Sequence, residues 1–152
     1  MALLARGLHF EEFEVGAAYT SPGRTVTETD VVAFAALSGD YNQLHTDAEF
    51  AKSTFFGARI AHGLLGLSIA SGLGSRMGFL EGTALAFLGL TWKFSKPIFI
   101  GDTIALQAKV AKKRAVSGEA GIVVFDCSLL NQRDEVTQQG EWTVMVRRRV
   151  DK

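Results

Sequence analysis

The spacing of apolar residues changes character midway along the chain: helical intervals in the first half, alternation in the second. The stretch Val26-Thr27-Glu28-Thr29-Asp30-Val31 predicts a helix start. Thr27 is placed as N-cap with Asp30 at N3, and Val26 and Val31 sit where a hydrophobic staple forms. Val31, Phe34, Ala35 and Leu37 continue at helical spacing, and Ser38-Gly39 ends the helix. A second, short helix is expected over residues 47–53, capped by Asp47 and broken by Phe55-Phe56-Gly57. Residues 59–78 are apolar nearly all round and carry small residues at Gly63, Gly66, Ala70, Gly72 and Gly74. Each internal glycine costs about 1 kcal/mol relative to alanine, so their density points to close packing. A helix apolar on every side is a buried one. The expectation is a central helix wrapped by a sheet.

Beyond residue 85 the period shortens to two. Leu88, Leu90, Trp92 and Phe94 mark a strand over residues 86–94. Ile104, Leu106, Ala108 and Val110 mark one over 103–110. Residues 122–130 are apolar on both faces, and Trp142, Val144 and Val146 mark a strand over 141–147. Pro97 with Gly101-Asp102, Ser117-Gly118, and residues 131–135 supply turns between them. The last three strands read as an antiparallel meander. The class is α+β: one buried helix against a mostly antiparallel sheet. Residues 1–152 fit one domain.

Composition narrows the partners. Sixteen basic residues balance sixteen acidic ones, which argues against nucleic acid. The run Arg147-Arg148-Arg149 reads as a solvated strand end, with a phosphate contact as the alternative. Cys127 is the only cysteine and lies in an apolar strand pattern, so it reads as core. The opening apolar run is too short for a signal peptide. The longest charge-free run, residues 60–75, is too short to span a membrane. A soluble, cytoplasmic protein is expected.

Residues 39–45 read Gly-Asp-Tyr-Asn-Gln-Leu-His. On a helix, the five-residue step from Asp40 to His45 turns about 140°. On a strand an odd step puts the two on opposite faces. Only a folded-back segment brings both to one point, and Gly39, Asp40 and Asn42 are turn formers.

The run from Phe34-Ala35-Ala36-Leu37-Ser38-Gly39-Asp40 through Tyr41-Asn42-Gln43-Leu44-His45 is followed by Asp47, Phe50 and Ala51. Then come Ile60-Ala61-His62-Gly63, the apolar helix to Ser71-Gly72, and Phe94 through Pro97 to Gly101-Asp102-Thr103. Together they resemble the MaoC-like dehydratases, (R)-specific enoyl-CoA hydratases of the hot-dog fold, in which a sheet wraps one long helix. Gln43 departs from the proline common in that family. The resemblance implies reversible hydration of trans-2-enoyl-CoA to (R)-3-hydroxyacyl-CoA, a lyase reaction of fatty-acid metabolism. It implies Asp40 and His45 as the water-activating pair and the Gly63 backbone N–H as oxyanion donor. Ser71 falls on a polar position of the central helix. Asn42, His62 and Ser71 are the candidate substrate-binding residues. Read alone, Asn42 is a turn-stabilising residue and His62 holds the loop that carries Gly63.

Partners follow. The family implies a homodimer, or a higher oligomer built from dimers, with acyl-CoA bound near the interface. Lys93, Lys96 and Arg147 to Arg149 are the cationic candidates for CoA phosphates. No cofactor is expected beyond the CoA thioester, which is the substrate. His9, His45 and His62 lack a metal-ligand spacing. No Walker or Rossmann phosphate loop is present. Phe55, Phe56, Leu88, Leu90 and Trp92 read as core, with an acyl tunnel as the alternative. The competing functions are a (3R)-hydroxyacyl-ACP dehydratase, a dehydratase of branched or dicarboxylic acyl-CoAs, a hot-dog thioesterase and a non-catalytic acyl-CoA-binding subunit. Residues 62–78 contain no Asp or Glu, which counts against the thioesterase.

Overall fold

Strict alternation in the second half of the chain builds an antiparallel meander against which everything else packs. The computed structural model describes residues 6–150. Most of the opening apolar run that bears on a signal peptide therefore lies outside the described residues. A 3-10 turn at Phe10–Glu12 comes first. Strands β1 (Ala18–Thr20) and β2 (Arg24–Thr25) follow, then helices α1 (Glu28–Ser38), α2 (Gln43–Thr46), α3 (Ala48–Lys52) and α4 (Gly63–Arg76). Strands β3 (Ala84–Phe94), β4 (Thr103–Ala115), β5 (Ala120–Leu130) and β6 (Val136–Arg147) complete the order. The six-stranded sheet runs β1-β4-β5-β6-β3, with β2 also on β4. This is the α+β, hot-dog arrangement expected from the sequence.

The core lies where α4 meets β4, β5 and β6. Ile104, Leu106, Ala108 and Val110 alternate inward from β4, and all are almost fully buried. Phe125 on β5 meets Phe13 edge-on at 5.7 Å, and Phe79 closes the aromatic cluster. Leu65, Ile69, Ala70 and Leu73 form the face of α4 that enters this core. Cys127 is buried there too.

Helix α1 forms as its capping signals require. The Thr27 N–H donates to Asp30 Oδ2 at 2.9 Å, and Thr27 Oγ1 accepts the Asp30 N–H at 3.3 Å. Val26 and Val31 are buried beside them. Gly39 ends the helix at φ 77°, a left-handed conformation that glycine adopts without strain. Asp47 caps α3 through a 2.9 Å bond from the Phe50 N–H.

Two expectations change. Helix α4 is not enclosed on all sides: Leu64, Ser68, Ser71, Gly72 and Ser75 are exposed. The sheet curls around one side of the helix and leaves the other open. The helix also starts later than residue 59, because the preceding backbone is extended and pairs sideways. Ala61 N–H donates to the Ile98 carbonyl, and Ile60 bridges to Phe99. The second change concerns β3. It pairs only with β6 among the described strands, so one of its edges is free. Leu85, Phe87, Leu88, Leu90 and Phe94 are 42–52% exposed. Leu88 and Leu90 are therefore surface rather than core, and Trp92 is half-buried. Phe55 is 99% exposed, because it sits on the loop after α3 with only Phe56 against it.

Two arginines of the terminal run, Arg148 and Arg149, pair with the N-terminal 3-10 turn. Arg148 Nε donates to Glu11 at 2.8 Å, and Arg149 pairs with Glu12 at 2.6 Å. The Arg148 hydrogen bond holds the Glu11 carboxyl down at about 2. A carboxylate whose pKa folding depresses stabilises the fold fully above its unfolded value of 4.5, and that contribution drains away as pH falls toward 2. The stability gap between wild type and Arg148→Ala is therefore expected to be full at pH 6 and to close near pH 2. Denaturant midpoints across that range at low salt measure it.

Candidate active site

Three short side-chain-to-backbone bonds fold the segment after α1 back on itself. The Asp40 N–H donates to Ser38 Oγ at 3.1 Å. Asp40 Oδ1 accepts the Asn42 N–H at 3.1 Å, and Asn42 Oδ1 accepts the Leu44 N–H at 2.9 Å. The last of these caps α2, the single turn that carries His45. Asp40 and His45 thus meet through a turn followed by one helical turn, a path that neither a straight helix nor a strand provides.

The two histidines come next. His45 is buried, and its Nδ1 lies 2.7 Å from the Ile60 carbonyl. A carbonyl only accepts, so Nδ1 carries a proton, and in the neutral ring Nε2 keeps the lone pair. His62 is 2% exposed, and its Nε2 bonds the Asp40 backbone carbonyl at 2.9 Å. By the same reasoning Nδ1 holds the lone pair of the neutral ring, and that atom has no partner among the described residues. The rings stack with centroids 3.8 Å apart and planes 27° apart. One oxygen or nitrogen from each of Asp40, His45 and His62 lies within 4.8 Å of the others.

Gly63 opens α4 directly after His62. A helix's first N–H groups have no partner inside the helix and lie at its positive end. None of the described residues accepts from Gly63 N–H. The missing side chain serves packing: a Cβ here would lie 2.9 Å from the Phe94 ring. A cavity of about 420 Å³ joins Asp40, His45, His62, Gly63, Leu64 and Phe94. A second of about 280 Å³ continues past Gly63 and Phe94 toward Phe56, Lys96 and Gln138. Lys96 is itself ion-paired with Glu135.

The structure thus gathers Asp40, His45, His62 and Gly63 at one place. Asn42 is not there: it is exposed and its side-chain oxygen caps α2. Ser71 is not there either. Its hydroxyl donates to the Ser68 carbonyl at 2.8 Å, two turns along α4 and about 12 Å from Gly63. It lines a separate, larger cavity of about 760 Å³. Phe34, Ser38, Leu64 and Phe94 line the Asp40–His45 cavity without having been singled out. Ser38 and Phe34 lay inside the quoted run. Phe94 is distant in sequence and was quoted for the resemblance without a role at the site. Replacing Asn42 by Ala removes the cap of the turn that carries His45 and is expected to cost about 1 kcal/mol. Denaturation, together with faster amide exchange at Leu44, checks it.

The family model described as MaoC like domain matches residues 12–126. A 3-hydroxybutyryl-CoA dehydratase of Methylorubrum extorquens is 36% identical over 93% of this chain and 85% of its own. A solved structure named monoamine oxidase regulatory protein, from Archaeoglobus, superposes with a TM-score of 0.89 at 37% identity, covering 97% of this chain and 99% of that one. The (R)-hydratase of Aeromonas caviae superposes at 0.75 with 32% identity, over 88% of this chain and 97% of that one. Match, identity and coverage agree with the geometry just described, and the chain belongs to the MaoC-like dehydratase family.

Proposed function

We propose that this protein adds water reversibly to a trans-2-enoyl-CoA to give an (R)-3-hydroxyacyl-CoA. The observation that carries the reading is the meeting in one cavity of Asp40, His45 and the Gly63 N–H, which no described residue accepts. The reaction needs a base for water, a proton for C2 and a place for charge on the thioester oxygen. A water between the Asp40 carboxylate and His45 Nε2 is held by both. As its oxygen bonds to C3, its proton passes to Asp40 while His45 orients it. The pair returns a proton to C2, so protons balance. The charge on the thioester oxygen meets the Gly63 N–H at the positive end of α4, the geometry of an oxyanion hole. His62 holds the Asp40 backbone and the His45 ring in place. These steps ask for no metal and no redox cofactor; coenzyme A enters as part of the substrate. The names of the Methylorubrum and Aeromonas relatives support the reading. The absence of any Asp or Glu on α4 separates it from a thioesterase.

A separate, partly apolar cavity runs along the second half of α4, walled in part by Leu80, Leu85, Phe87, Trp142 and Val144. The free edge of β3, its exposed apolar side chains and the open face of α4 form a surface that a second copy of the chain would cover. A homodimer is the assembly this predicts, sedimenting at twice the 16.4 kDa chain mass. We place the protein in the cytoplasm. Burial pushes the thiol of Cys127 up to about 12, so it stays unreactive there. No helix among the described residues is long and apolar enough to cross a membrane.

Loss of enoyl absorbance from crotonyl-CoA tests the activity, with product configuration read by an (R)-specific dehydrogenase. Wild type is expected to turn over. Asp40→Asn and His45→Gln are each expected to lose about 10²–10⁴-fold in kcat with the fold intact. Absence of turnover with crotonyl-CoA, with longer and branched enoyl-CoAs and with enoyl-ACP would overturn the reading. Turnover confined to the ACP thioester would make it an ACP dehydratase.

A further inference from the structure

One buried polar side chain touches this site without a part in the chemistry above. Gln138, on β6, is 2% exposed. Its Nε2 donates to the Gly63 carbonyl at 3.0 Å, and its Oε1 accepts the Trp92 indole N–H at 2.9 Å. An indole N–H only donates, so Trp92 fixes which way the amide points: oxygen to β3, nitrogen to α4. Gly66 makes the room, since a Cβ there would overlap Gln138 Nε2. A helix-interior glycine costs stability, and here its lack of a side chain admits this amide.

The Gly63 carbonyl and the Leu64 N–H are the two ends of one planar peptide. Leu64 lines the Asp40–His45 cavity, and its N–H is the second orphan donor of α4. A hydrogen bond received at the carbonyl end polarises the peptide and strengthens its N–H as a donor. It also restrains Gly63, whose backbone would otherwise be the most mobile in the turn. We propose that Gln138 is a positioning residue. Through the Gly63 carbonyl it holds the first turn of α4 so that the Gly63 and Leu64 N–H groups aim together at the thioester oxygen. The inference rests on the hydratase reading above.

Two variants test it, on the full chain with crotonyl-CoA or whichever enoyl thioester the wild type turns over. Gln138→Leu keeps the bulk and removes both bonds. Donors aimed at a transition state act on kcat, so kcat is expected to fall about 10- to 100-fold with KM changed by less than about threefold. Gln138→Glu keeps size and shape. Its ionised carboxylate has no proton for the Gly63 carbonyl, whereas its neutral acid donates one. Burial raises a carboxyl pKa, so the ratio of Gln138→Glu to wild-type kcat is expected to climb as pH falls. A purely structural role leaves that ratio flat. Near-UV circular dichroism establishes folding, and if Gln138→Leu fails to fold the pH profile of Gln138→Glu carries the test. Wild type active, with the folded variants within about twofold of it at every pH, overturns the inference alone. Wild type inert on every enoyl thioester overturns the hydratase reading and this inference with it.

Discussion

The stack of His45 on His62 is the contact on which the site depends. It joins two segments that the sheet alone would not bring together: the loop after α1 and the start of α4. Each ring spends its outer nitrogen on a backbone carbonyl, His45 on Ile60 and His62 on Asp40. Those bonds fix ring orientation and tautomer at once. The acid is therefore held by its backbone as well as by its side chain, and the helix that supplies the N–H groups is locked to the same residues.

What the sequence revealed was local. The Thr27–Asp30 capping box, the Gly39 stop, the Asp47 cap and the β4-β5-β6 meander each depend on residues a few positions apart. The Asp40–His45 encounter was legible for the same reason, since the turn formers that cause it lie between the two. The failures were of another kind. Leu88, Leu90 and Phe55 looked like core because an apolar side chain reads the same whether it faces an interior or a surface left open in one chain. Half of α4 was misjudged on the same ground. Ser71 matched a position in a pattern, yet its hydroxyl bonds the backbone of its own helix, whereas Asn42 stabilises its turn as its residue type suggests. Gln138 gave no signal, because what gives it meaning is a contact with residues 75 and 46 positions away.

Those open surfaces bear on the site through Phe94. This residue closes β3, is 52% exposed, and rests its ring where the side chain of residue 63 would be. It lines both cavities that meet at Gly63. Trp92, two residues earlier on the same strand, orients Gln138. The first turn of α4 is thus held from β3 twice, by an aromatic ring against its α-carbon and by an indole acting through an amide on its carbonyl. A strand with one free edge and five large apolar side chains in water is an unstable frame for such a task. Whatever pairs with that edge stiffens β3, and stiffening β3 steadies the N–H groups of α4. On the hydratase reading proposed above, assembly and oxyanion geometry become one mechanical problem, carried by Trp92 and Phe94 at the end of the exposed strand.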